Sequence, residues 1–401
     1  MDPRFMSSTQ PLRLLLPILC LLMALGFFST GIYLPSFPAI GDALHASPEQ
    51  VQQTLALFFL GSAVGSLILG PLADRLGRLV VAKGGIILFI LTSFWCAESH
   101  DIFSLQIARF LQGFAAGAGP LVVRAMGRDL YEGADLTRFS ATTMMVASFS
   151  PAIAPTLGGF LQSAFGWKYN FYFLMGFGII IAVMVWRWLP ETKPSSEEKI
   201  PLSLILKNYV TLFKDPSYIL FCLVIGLQMG SIFCYVAFSP YLFITHFNFS
   251  PEEYGALGIV GAFGNISGFN FARYLADRIQ FHQGILIGSF LCLCFSVIFL
   301  GISFLFPATA LTVILFSAGF YAASALAVVN ASTAAMNLFP KIAGVASAMV
   351  GSIQIGSGFI GSILASFLPI TPLSLAIVLT SLMLASVMVS LIIAWKKWLG
   401  R

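Results

Sequence analysis

The sequence predicts an all-α membrane protein, with twelve transmembrane helices arranged as two pseudo-symmetric six-helix bundles. Three observations carry that prediction. Apolar residues fill 58% of the 401 positions and mean hydropathy is +0.92, against roughly 45–50% apolar content in a soluble domain. Nearly the whole chain divides into apolar stretches of about 20 residues, the length a helix needs to cross ~30 Å of hydrocarbon. The tetrapeptide Leu-Ala-Asp-Arg stands at 72–75 and again at 275–278, 203 positions apart. Helices are expected rather than a barrel because the stretches lack the alternation of barrel strands, and a helix pairs every backbone group within itself.

In chain order the first six spans are expected at 14–34, 51–71, 79–97, 103–123, 140–162 and 169–189. The second six are expected at 217–240, 254–274, 284–305, 309–330, 342–368 and 372–394. On this map 19 of the 21 Lys and Arg fall on one side, with Lys168 opposite and Arg109 inside a span. Positive charge marks the cytoplasmic side, so both termini are expected there. The net charge of +5 is therefore read as topology and implies no nucleic-acid partner. The longest polar stretch, PETKPSSEEKIPLSLILKNYVTLFKDP at 190–216, separates an N-terminal bundle (1–189) from a C-terminal bundle (217–401). Its apolar part reads either as a short helix on the membrane surface or as a plain linker. Two equal halves point to a transporter with its substrate site between them.

Local motifs sharpen this. In GPLADRLGRLVV, Gly70 and Gly77 permit a tight turn and close helix approach, while Asp74, Arg75 and Arg78 supply charge that can pair across the cytoplasmic surface. RFLQGFAAGAG at 109–119 places Arg109 and Gln112 within the fourth span, and SPAIAPTLGGF at 150–160 places Pro155, Gly158 and Gly159 in the fifth. Proline loosens a helix and small residues let a neighbour approach to backbone contact, properties that suit a gate. Together with YLPSFPAI (33–40) and LPETK (189–193), these stretches resemble the major facilitator superfamily and, within it, the Bcr/CflA drug-resistance antiporters of twelve spans. The resemblance covers most of the first half; the second half matches by layout. It implies a secondary transporter of the bacterial inner membrane, exporting drugs or metabolites with protons as coupling ion. It also implies that the 70–78 motif latches the halves on the cytoplasmic side. The second LADR is read either as a worn copy of that motif or as chance, since Arg273 and Gln280 stand where Gly70 and Gly77 would repeat.

One departure bears on the cargo. The subfamily carries an acid in span one, three residues before Leu-Pro, and here that position is Gly31. All 16 acids fall in loops or at span ends. A guanidinium inside a span costs about 2.5–3.5 kcal/mol at the centre, so Arg109 is expected to face the cavity or a polar partner, with Gln112 nearly one turn away. A cavity with a cation and no acid suits an anionic or zwitterionic solute, such as a polycarboxylate siderophore, as well as a drug. Tyr33, Gln228, Tyr235, Asn330 and Gln354 are further candidates to line it, each also able to serve as interhelical glue. Arg124, one turn from the span end, is expected to snorkel outward.

Other functions find little support. The six cysteines lie in apolar segments without disulfide or zinc spacing, and the four histidines are scattered through loops. No cofactor or metal is expected, and no Walker A motif is present to bind ATP. An intramembrane enzyme would need a nucleophile with a base at depth, and a sensor would need an output domain. The expected partners are a small-molecule substrate and the lipid bilayer, with the protein acting as a monomer.

Overall fold

The computed structural model describes residues 9–192, 209–276 and 278–398, and among these the regular structure is helical. The helices are α1 (Thr9–Gly31), α2 (Phe37–Ala43), α3 (Pro48–Leu76), α4 (Arg78–Ala97), α5 (Ile102–Ala116), α6 (Ala118–Leu130), α7 (Gly133–Phe165) and α8 (Lys168–Trp188). There follow α9 (Pro216–Pro240), α10 (Pro251–Ala256), α11 (Gly258–Leu275), α12 (Phe281–Leu305), α13 (Ala310–Leu338), α14 (Ala343–Ser366) and α15 (Pro372–Trp398). A short helical stretch at 209–214 is all of the 190–216 linker's helix that lies within the described residues.

Their ends follow from side chains that satisfy otherwise orphaned backbone donors. Ser47 and Gln50 form a reciprocal capping box at the start of α3, with Pro48 in the first turn. Ser250 and Glu253 do the same for α10 behind Pro251. These two boxes, SPEQ and SPEE, are themselves 203 positions apart, the same offset as the LADR pair. The offset also carries the first residue of α4, Arg78, onto that of α12, Phe281. Two capped starts and two helix starts in one register make the second LADR a degenerate copy. Asp277 itself lies outside the described residues.

What degenerated is the turn. Gly77 has φ +108°, a conformation glycine adopts freely, so α3 runs to Leu76 and α4 begins at Arg78 with one residue between. At Gln280 φ is −79°, and the second copy needs residues 276–280 to make the same reversal. Arg278 there turns back onto Tyr274, lying over its ring and donating to its hydroxyl.

Among the described residues, nine segments are long and apolar enough to cross a membrane. The expected count of twelve is not reached by that measure. α5 and α6 part at Gly117, α7 opens on the polar stretch GADLTRFSATT, and α11 is 18 residues long with Asn265, Asn270 and Arg273 in it. All three lie where spans were expected, packed among the others. Large apolar side chains such as Ile180, Phe263 and Leu315 stay exposed, as lipid contact allows.

Packing sorts the long helices into two groups. In the first, α1 lies on α7, α3 on α5, and α4 on α5 and α8; in the second, α9 lies on α13, α14 and α15, and α12 on α13 and α15. The groups meet where α3 packs on α14 and where α7 packs on α10 and α11. We call the end that carries Arg75, Arg78 and Arg128 the basic face and the end that carries Ser47 and Ser250 the outer face.

Candidate functional site

Arg109 sits in the interior of the first group rather than in a space between groups. It is fully buried, with its guanidinium 4.1 Å from the Tyr33 ring centre, 4.3 Å from Phe58 and 5.8 Å from Phe171. Nη1 donates to Gln112 Oε1 at 2.5 Å and Nη2 to the Ser29 carbonyl at 3.3 Å, while Nε lacks a partner. Gln112 is equally buried and donates onward to Ser93 Oγ at 2.7 Å. Small residues build this cage: a Cβ on Gly61 or Gly113 would lie 2.0 Å from a carbonyl of the facing helix, so α3 and α5 touch backbone to backbone. That approach is what lays Phe58 on Arg109. Aromatic faces and a carbonyl thus replace water around the cation, worth about 2 kcal/mol or more per desolvated cation–π contact.

Apart from Tyr33, whose ring covers Arg109, the other candidates do not join this cluster. Gln228, buried in the second group, donates to Ser386 Oγ at 3.0 Å and Ser289 Oγ at 3.3 Å. Tyr235 stacks edge-on against Tyr321 and Phe316. Asn330 donates to the Leu326 carbonyl at 2.9 Å and covers Gly284, and Gln354 reaches Ser332 at 3.4 Å. Tyr33 reaches Thr54 at 3.3 Å. Each ties neighbouring helices within its own group, so the seven side chains converge on no single pocket.

The Pro155 motif, by contrast, lies where the groups meet near the outer face. A Cβ on Gly158 would fall 1.7 Å from the Ile32 carbonyl oxygen, and one on Gly159 would fall 2.3 Å from that of Pro251. A Cβ on Gly255 would in turn meet the Pro155 carbonyl at 2.4 Å, and Thr156 donates to the Gly255 carbonyl at 3.1 Å. Beside them Tyr241 donates to the Phe37 carbonyl at 3.4 Å. Gly31, the position of the missing acid, packs on this motif too: a Cβ there would be 3.0 Å from Ala154 Cβ and 3.3 Å from Pro155 Cδ. A carboxylate at that point would have to part α1 from α7.

At the basic face the 70–78 motif forms a network within the first group. Arg78 pairs with Asp74 at 2.5 Å and with Asp129 at 3.3 Å, and Thr192 donates to the same Asp129 oxygen at 2.9 Å. Glu191 accepts from the backbone nitrogens of Arg78 (2.9 Å) and Leu79 (3.1 Å), capping α4 where the helix dipole favours an anion. Gly70 approaches Leu121, while Arg75 is exposed at the surface. Burial and the nearby Asp74 carboxylate push the Tyr209 phenol up. The sequence alone had not joined LPETK to the 70–78 turn. Gly77→Ala should therefore lower the thermal unfolding midpoint, because its Cβ would strain a positive φ by about 1–2 kcal/mol and meet Glu191 Oε2 at 2.3 Å. An unchanged midpoint in a detergent melt would refute that.

Arg124 departs from expectation. Its Nε donates to the Pro120 carbonyl at 3.1 Å, and its Nη1 would lie 2.9 Å from a Cβ on Gly351 of α14. Arg128, one turn on, would lie 2.6 Å from a Cβ on Gly344, and the Phe59 ring 2.7 Å from one on Gly358. Gly344, Gly351 and Gly358 are spaced by seven, two helical turns, so one stripe of α14 receives these three side chains. Arg124 points across to the second group because that stripe leaves it room.

A polytopic helical protein whose two helix groups meet through glycine-backed contacts at both faces has the architecture of a transporter. The family model described as Major Facilitator Superfamily matches residues 19–366, and the chain belongs to that superfamily. It is 30% identical to a bicyclomycin resistance protein homolog of Haemophilus influenzae over 84% of this chain and 85% of that one. It is 29% identical to multidrug resistance protein D of Escherichia coli over 89% of each. An uncharacterized MFS-type transporter, YdgK of Bacillus subtilis, is 36% identical over 63% of each chain. Among solved structures, a bacterial homolog of the lysosomal transporter Spinster in an inward-facing, unoccupied conformation superposes with a TM-score of 0.73 at 16% identity, covering 97% and 96% of the two chains. The nucleoside transporter NupG gives 0.74 at 14%, covering 95% and 99%.

Proposed function

We propose that the protein is an exporter of small molecules, drugs or metabolites, in the bacterial inner membrane. It works by alternating access between halves 1–189 and 217–401, joined by the 190–216 linker, with the basic face and both termini in the cytoplasm. The observation that carries this reading is the contrast between the two faces. At the outer face, backbone meets backbone across the halves through Gly159 and Gly255, whereas nearer the basic face the crossing is made by long arginine side chains laid on glycines. That asymmetry supports a conformation shut on the outside, loaded from the cytoplasm. The relatives named for bicyclomycin and multidrug resistance support the export direction.

In this reading Pro155, Gly158 and Gly159 are the outer gate. Gly70, Asp74, Arg75, Gly77 and Arg78 are the cytoplasmic latch, whose contacts within the first half are in place here and which engages the second half when the outside opens. Protons are the coupling ion on the resemblance, and the protein acts as a monomer. For Arg109, Gln112 and Tyr33 the geometry favours holding the first half together, and for Gln228, Asn330 and Gln354 the second. The test is bicyclomycin export by cells stripped of their own pumps. Wild-type protein should raise resistance and lower drug accumulation. Asp74→Asn, whose side chain is 53% exposed, should slow export about tenfold at unchanged folded yield. Export undiminished in Asp74→Asn would remove the latch, and no change in resistance or accumulation with wild type would remove the exporter.

A further inference from the structure

We infer that Arg124, with Arg128 one turn beyond it, binds an anionic group of the transported solute, a carboxylate or phosphate, between the halves against the glycine stripe of α14; this rests on the exporter reading. Arg109, the cation first suspected of meeting an anion, is spent: it is fully buried among Tyr33, Phe58 and Phe171 and bonded to Gln112 and Ser29. Arg124 is placed differently. It projects from α6 toward the opposite half, and among the described residues its sole hydrogen bond is from Nε to the Pro120 carbonyl. The outer fork of the guanidinium, the edge shaped for bidentate carboxylate or phosphate, is turned to Gly351 instead.

Among the described residues no acid answers it. The described acids stand in loops or at helix ends, and Asp129, the one nearest along α6, is engaged by Arg78 and Thr192. Arg124 and Arg128 are four residues apart on one helical face, where like charges destabilise. Arg124, half-buried between the halves and without a counter-charge among the described residues, gains one when an anion arrives, while Arg128 lies exposed beside it. The glycines opposite let the guanidinium groups lie directly on the helix: a Cβ at 351 or 344 would fall 2.9 or 2.6 Å from them, so an anion that draws the two forks off α14 meets no side chain of that helix at these positions. Since the pair lies on the basic side of the Gly159–Pro251 contact, an anion held there is shut from the outer face.

The experiment uses purified full-length protein in liposomes of phosphatidylcholine alone, so that an anionic lipid headgroup cannot serve as the ligand. Two xanthene dyes of like ring system and opposite charge are the probes: carboxyfluorescein, an anion, and rhodamine 6G, a cation. Wild-type protein should move carboxyfluorescein in preference. Arg124→Gln should slow it at least about tenfold, the loss of one charge-assisted hydrogen bond, with rhodamine 6G unaffected. Arg124→Lys should fall between, and all three should give the same folded yield. If Arg124→Gln alters the folded yield, Gly351→Val replaces it, since a side chain there displaces the guanidinium while the charge remains; it too should slow carboxyfluorescein. Carboxyfluorescein movement unchanged in Arg124→Gln, or in Gly351→Val where that replaces it, overturns the inference. So does a wild-type protein that prefers rhodamine 6G, or one that moves neither dye while bicyclomycin export persists. Loss of bicyclomycin export by wild type would overturn the exporter reading as well.

Discussion

Gly159→Ala should yield a folded protein that exports at least about tenfold more slowly, whereas Gly158→Ala should fail to give folded protein in normal yield. The two glycines are adjacent, yet they face different partners. A Cβ on Gly158 would enter the Ile32 carbonyl, at 1.7 Å, where α1 and α7 of one half are joined throughout the cycle. Nothing in alternating access relieves that clash, so it is felt in folding. A Cβ on Gly159 would meet the Pro251 carbonyl of the other half, at 2.3 Å, and only when the outer face is shut. Opening relieves it, so the variant should fold and rest with its outer face open. Tyr241 is buried behind that contact, and a Tyr241→Cys reporter should react with a membrane-impermeant maleimide faster in Gly159→Ala than in the parent. Equal labelling rates would detach Gly159 from closure. Normal yield of Gly158→Ala would mean that α1 and α7 can part.

This division between contacts inside a half and contacts across halves also separates what the sequence made legible from what it hid. Hydropathy located the helices, because the apolar requirement of the bilayer acts on every span. It understated the length of some: α7 runs over 133–165 where 140–162 was expected, since a helix continues past the hydrocarbon into polar surroundings that hydropathy does not register. The turn at Gly77 was legible from glycine alone, while its anchor, Glu191, lies 113 positions from Arg78 and only folding joins them. The SPEQ and SPEE boxes carried the 203-residue register in plain view and would have decided the status of the second LADR. Arg109 was expected to face the cavity or a polar partner, and its surroundings are Gln112, the Ser29 carbonyl and three aromatic rings. Which surroundings depended on how closely α3 and α5 approach, and the significance of Gly61 and Gly113 for that appears only when both helices are in place. The glycine heptad of α14 was likewise visible as spacing, but nothing along the chain says that arginines of α6 lie opposite.

Arg109→Ala should lower the thermal unfolding midpoint and folded yield sharply, and whatever transport is lost should follow the lost protein. Removing the side chain leaves Gln112 Oε1 without its 2.5 Å donor, frees the Ser29 carbonyl, and opens a void among three aromatic rings. Leaving the buried Gln112 acceptor unpaired costs about 1–3 kcal/mol and the void adds to that, together a large part of the stability of any domain. Arg109→Lys keeps the charge but supplies one compact ammonium where a planar fork is stacked between Tyr33 and Phe58, so it should recover only part of the midpoint. The decisive quantity is the export rate per folded molecule. If Arg109 holds the half together, folded Arg109→Lys exports near the wild-type rate while its midpoint is depressed. If Arg109 meets the solute, Arg109→Ala folds with an unchanged midpoint and exports nothing. The full burial of the side chain in a conformation shut on the outside favours the first outcome, because a solute could reach the guanidinium only by displacing Tyr33 or Phe58 from the core they share.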